Sequence, residues 1–108
     1  MTLLIAPDKK SFTTAKGKWT AKQTSIAQVE IIGRLLIVRE DYYKYTGSNI
    51  YALEENLTEV WTAELPHDSD SFVGLAIEGT CLSCHTWNGF KYKIDASTGK
   101  IVDKLFTK

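Results

Sequence analysis

Asn49-Ile50-Tyr51-Ala52-Leu53-Glu54-Glu55-Asn56-Leu57-Thr58-Glu59-Val60-Trp61 reads as a strand, an acidic turn and a second strand. Forty-one residues later, Phe90-Lys91-Tyr92-Lys93-Ile94-Asp95-Ala96-Ser97-Thr98-Gly99-Lys100-Ile101-Val102 has the same order. A period of this length marks a repeat architecture, in which each unit buries its apolar face only against its neighbours. The fold class follows from this pair of segments.

Working outward, the other strong signals are also β. Residues 29–38 are rich in β-branched side chains and are broken at Gly33, as in a hairpin. Residues 72–77, followed by Glu78-Gly79-Thr80, repeat that arrangement, with 81–87 as the partner strand. Asn88-Gly89 favours a tight turn into 90–94, and the Asp95 to Gly99 turn leads to 100–106. Residues 72–108 thus hold a four-stranded meander, and 26–65 hold an earlier one. The earlier copy carries about five extra residues between its second and third strands, a count that follows from aligning the repeats. Pro66-His67-Asp68-Ser69-Asp70-Ser71 links the copies as a polar, proline-started loop. Before Ser25 the pattern predicts strands at 11–14 and 18–24, although Ala21-Lys22-Gln23 also suits a short helix.

Asp95-x-x-Thr98-Gly99-Lys100 resembles the inter-strand turn of quinoprotein (PQQ-like) β-propeller repeats, whose pattern is Ala-x-Asp-x-x-Thr-Gly-Lys-x-x-Trp. The copy from Leu53 to Trp61 is similar to a shorter form of that turn, with Trp61 at the tryptophan position. The resemblance implies an acidic residue accepting from turn amides, a glycine with positive φ, and a tryptophan packed on the next blade. The chain departs from the pattern at Lys93, which stands for Ala, at Asp103, which stands for Trp, and at Glu54, which stands for Asp. Gly17-Lys18-Trp19 is a third echo, 42 residues before Trp61. Full propellers of this kind close several blades around a channel. A chain of 108 residues supplies about two, so a central quinone site is not carried over and no cofactor is expected.

The length suits one domain, 1–108, and an apolar fraction of 44% suits a packed core. Thirteen basic and thirteen acidic residues cancel, leaving no net field to attract nucleic acid or an anionic membrane. Lys9, Lys10, Lys16, Lys18 and Lys22 form a local basic run, read as a lysine-blunted edge. No segment approaches the roughly 20 apolar residues of a membrane span. The first residues lack a basic n-region and a signal-length apolar run, which makes cytoplasm the expected location and free thiols the expected cysteine state.

Cys81-Leu82-Ser83-Cys84-His85 matches the Cys-x-x-Cys-His signature of c-type haem attachment. Cys81, Cys84, His85 and His67 together also supply the four donors a structural zinc requires. On a strand, however, positions 81 and 84 face opposite sides, so the motif reads as structural thiols. Adjacent Cys84 and His85 likewise point apart, and no group to orient a catalytic base is signalled. No glycine-rich phosphate loop is present.

Trp61, Trp87 and Phe72 read as core. Tyr42, Tyr43 and Tyr45 sit in the inserted connection, where tyrosines give contact area at low entropy cost. The sequence therefore predicts an all-β chain of two blade-like meanders with an N-terminal strand or half-blade, closed as a sandwich or paired as a homodimer. Its expected role is a small, non-catalytic protein-interaction module, for instance a toxin-neutralising protein of bacterial type. Its expected contacts are Tyr42, Tyr43, Tyr45, His67 and Asp68. The competing reading is a metal or haem site at Cys81-x-x-Cys84-His85.

Overall fold

The computed structural model describes residues 2–42, 47–65 and 70–106. Among them there is no helix, and eleven strands form three antiparallel sheets. The first sheet holds β1 (Leu3–Ile5), β2 (Ser11–Thr14) and β3 (Gly17–Thr20). The second holds β4 (Ile26–Ile32), β5 (Leu35–Glu40), β6 (Ile50–Leu53) and β7 (Glu59–Thr62). The third holds β8 (Phe72–Glu78), β9 (Cys81–Thr86), β10 (Phe90–Asp95) and β11 (Ile101–Phe106). Each sheet is a meander whose neighbours in space are neighbours in sequence. The two four-stranded meanders run from Ile26 to Thr62 and from Phe72 to Phe106.

The sheets are layered. Strand β5 is buried on both faces, which explains its unbroken apolar run in place of alternation. Leu36 and Val38 join Tyr51 and Leu53 in a cluster with Phe12 of the first sheet. Ile37 points the other way, into a larger cluster with Trp61, Leu75, Leu82, Cys84, Tyr92 and Ile94. The second sheet is thus the filling, and the outer two are each covered on one face. The far face of the third sheet is charged. Ala76, Ser83, Lys93 and Asp103 form one cross-strand row, and Lys91 pairs with Glu78 at 3.5 Å.

The second and third sheets are locked by Trp61. Its indole Nε1 donates to Ala96 O at 3.0 Å. A Cβ on Gly99 would lie 2.5 Å from Trp61 Cε3, so the ring rests directly on the glycine. Gly99 has φ +74°, in the left-handed region that a side chain disfavours. Asp95 Oδ1 accepts from Ser97 N at 2.8 Å and Ser97 Oγ at 2.7 Å, which fixes the turn and holds the carboxyl below its ordinary pKa. Leu57, with φ +70°, takes the left-handed place in the shorter turn of the second sheet.

Candidate functional site: the loop end

The connections β5–β6, β7–β8 and β9–β10 meet at one end of the strands. Glu40, at the end of β5, is fully buried. Its Oε2 accepts from Lys22 N at 2.7 Å, and its Oε1 from Gln23 N at 2.9 Å and Thr24 N at 2.8 Å. One carboxylate thereby satisfies three backbone amides of the segment after β3. That is why β3 stops at Thr20 and neither the longer strand nor the short helix forms. Asn49, also fully buried, donates through Nδ2 to Glu40 O at 2.7 Å and Phe72 O at 2.8 Å. Its Oδ1 accepts from Phe72 N at 2.8 Å, so one amide joins the second and third sheets.

Two loops singled out in the sequence are brought together here. Gly47 N donates to Asp70 O at 2.7 Å, joining the described ends of the two connections. Asp70 is buried, and its Oδ1 accepts from Ser71 N at 2.8 Å and Asn88 N at 3.3 Å. Trp87 N donates to Ser71 O at 3.0 Å. These bonds hold Trp87 in place while its side chain stays 68% exposed. The Tyr42 ring lies 5.6 Å from it, inclined by 36°. Trp87 is therefore not a core residue, contrary to the sequence expectation: it is the first residue beyond β9, where the chain leaves the pleat. Trp61 and Phe72 are core, as expected. Tyr43, Tyr45, His67 and Asp68 lie outside the described residues.

Beneath Tyr42, half-buried Arg39 donates from Nε to Gln28 Oε1 at 3.2 Å. Gln28 Nε2 donates onward to Glu30 Oε2 at 2.9 Å and Leu75 O at 2.7 Å. Burial lowers the Arg39 pKa, against the opposing pull of Asp41, Tyr42 and Cys84. Burial also raises the Tyr92 phenol, and the nearby Asp70 charge adds to that shift. Asp70 Oδ2, Ser83 Oγ and Tyr92 OH are buried without a hydrogen-bond partner.

The cysteine motif does not converge. Cys81 pairs across the sheet with Glu78 and Asp95, and Cys84 with Leu75 and Tyr92, which puts the two thiols on opposite faces. His85 is exposed on the Cys81 face, beside Gly74. Among the described residues no three His, Cys, Asp or Glu side chains gather as a metal set; His67 lies outside them. Burial pushes the Cys84 thiol up to about 12, against the opposing pull of Arg39, so it is protonated and unreactive at neutral pH. Half-buried Cys81 lines a cleft of about 600 Å³ at the opposite end of the strands, with Ile32, Arg34, Leu35 and Asp95.

A thiol reagent at neutral pH is therefore expected to modify Cys81 in the native protein and Cys84 only after unfolding. Mass spectrometry of the labelled peptides checks this. Because the folded pKa of Cys84 lies above its ordinary 9.0, its contribution to stability is whole below pH 9 and is lost as pH rises toward 12. The loss is about 1.4 kcal/mol per pH unit in that window. Urea melts of Cys84→Ala should lack that alkaline slope.

Sequence reasoning missed Glu40, Asn49 and Arg39. Glu40 ends an apolar strand run, and nothing in hydrophobic periodicity tells a buried acid there from a solvated one.

Comparison with known proteins adds fold and family. Nothing matches the chain among curated proteins. The crystal structure of the computationally designed Ika8 protein is similar in fold, with a TM-score of 0.70 at 11% identity over 94% of this chain. The match covers 32% of the designed protein, so this chain spans about a third of its length. No helix among the described residues is long and apolar enough to cross a membrane. The family model of a domain of unknown function, DUF7957, matches residues 19–106, and the chain belongs to that family.

Proposed function

We propose that the chain is a non-catalytic, cytoplasmic protein-interaction module built from two quinoprotein-type blade repeats and a partial N-terminal one. Its contact surface is the loop end that carries Tyr42 and Trp87. The observation that carries this reading is Trp87: a large aromatic side chain, 68% exposed, stands on a backbone fixed by Asp70 and Ser71. An apolar ring that is wet in the free protein and already oriented binds at low entropic cost. The repeat reading is supported by Trp61, which docks on the turn glycine of the following sheet as the resemblance implies.

The test is affinity isolation of the tagged chain from its own source, then calorimetry with the purified partner. Trp87→Ala and Tyr42→Ala should each weaken binding about tenfold or more, as central aromatic contacts do. Lys18→Ala, on the exposed face of the first sheet, should not. A partner whose affinity is unchanged by Trp87→Ala would remove the loop end from the interface.

A further inference from the structure

We infer that the free edge of β1 is a docking site for an extended strand of a partner protein, which adds to the first sheet as its fourth, innermost strand. The second and third sheets have four strands each, and the first has three. Chain order makes β3 the counterpart of β7, since each leads into the first strand of the next sheet. Register agrees with this. Trp19 pairs with Phe12 and Phe12 with Ile5, as Trp61 pairs with Ala52 and Ala52 with Ile37. Leu3-Leu4-Ile5 is therefore the structural equivalent of Leu35-Leu36-Ile37, and the two tripeptides are identical in sequence. Beyond β5 lies β4. Beyond β1 no strand is paired among the described residues.

Exposure separates the two copies. Leu36 and Ile37 are 0% exposed, whereas Leu4 is 70% and Ile5 44%. Leu4 lies on the outer face, which no further sheet covers among the described residues. Ile5 is different: it shares the inward face with Phe12, so its exposure comes from the missing lateral neighbour. The backbone agrees. Ala6 N donates to Ser11 O at 2.9 Å, so alternation turns the N–H and C=O of Leu4 toward β2 and those of Leu3 and Ile5 toward the open edge. Such an edge is a template for strand addition.

The chain itself shows what fits. The inner places of the other sheets hold Ile26-Ala27-Gln28-Val29-Glu30-Ile31-Ile32 and Phe72-Val73-Gly74-Leu75-Ala76-Ile77-Glu78, both apolar and free of lysine and proline. The occupant is accordingly an apolar, lysine-free segment running antiparallel to β1. This edge is distinct from the loop end that carries Tyr42 and Trp87, and either site stands without the other.

The test is an NMR titration of the isotope-labelled full chain with a synthetic peptide of the Phe72–Glu78 sequence, extended by two lysines for solubility. Shifts should concentrate at residues 3–5, with amide exchange at Leu3 and Ile5 slowed about tenfold at saturation. Ile5→Pro removes one outward donor and should weaken binding about fivefold, the value of one backbone hydrogen bond. Where Ile5→Pro disturbs the Trp19 resonances, backbone N-methylation of the peptide replaces it. Methyl groups on alternate residues should abolish binding in one phase and spare it in the other. Shifts centred on β11, no shifts at all, or binding indifferent to both methylation phases would overturn the proposal. So would concentration-dependent self-association giving the same shifts without peptide, which would make a second copy the occupant.

Discussion

Gly99→Ala is expected to destabilise the chain by about 2–4 kcal/mol, as the sum of two separable costs. A side chain at φ +74° costs about 1 kcal/mol. The added methyl also falls 2.5–2.6 Å from Trp61 Cε3 and Cδ2. The ring cannot retreat without breaking its bond to Ala96 O and opening the largest apolar cluster. Overpacking of that kind costs a further 1–3 kcal/mol. Gly33 and Gly79 are natural controls, with φ +59° and +65° and nothing within 4 Å of the methyl that alanine would add. Alanine there should cost only the conformational part. Urea unfolding followed by tryptophan fluorescence measures all three. In a Trp61→Leu background Gly99→Ala should cost little more than Gly33→Ala, because the coupled term is gone. Equal losses at Gly99 and Gly33 in the parent protein would mean that the indole does not rest on the glycine.

Glu40→Ala should cost about 3–5 kcal/mol, because the three backbone amides of residues 22–24 lose their shared acceptor at once. Glu40→Gln should cost less, since its amide oxygen keeps some of those bonds, while its NH2 faces an N–H donor. The damage should be local before it is global. Amide exchange at Lys22, Gln23 and Thr24 should accelerate first, with proteolysis between the first and second sheets. The Trp61 environment, on the other side of the second sheet, should persist until global unfolding. Uniform loss of protection across all three sheets at once would show instead that Glu40 supports the whole stack.

Much of this architecture was legible in the residues. Turn chemistry at Gly33, Gly79, Asn88-Gly89 and Asp95–Gly99 punctuates apolar runs of strand length, and the structure has its reversals there. The divergence of Cys81 and Cys84 followed from strand parity alone. What stayed hidden depends on contacts distant in sequence. Glu40 and the amides it serves are 16 to 18 residues apart. Asn49 and Phe72 are separated by 23. Local periodicity carries no information about such pairs. Trp87 was misjudged for a related reason: a strand assignment one residue too long converts an exposed turn aromatic into a core residue. The open edge of β1 was also beyond local reading, since Leu3-Leu4-Ile5 looks like core until its neighbours are counted.

A stack of sheets has no built-in stop: whatever places the third sheet on the second could place another molecule on the third, and so on into a fibre. Asp103 and Lys93 face each other across β10 and β11, both on the exposed far face of the last sheet. A molecule settling there would strand charges in a dry seam and find no indole to seat its turn glycine. Charge on that face thereby opposes growth along the stacking axis at its first step.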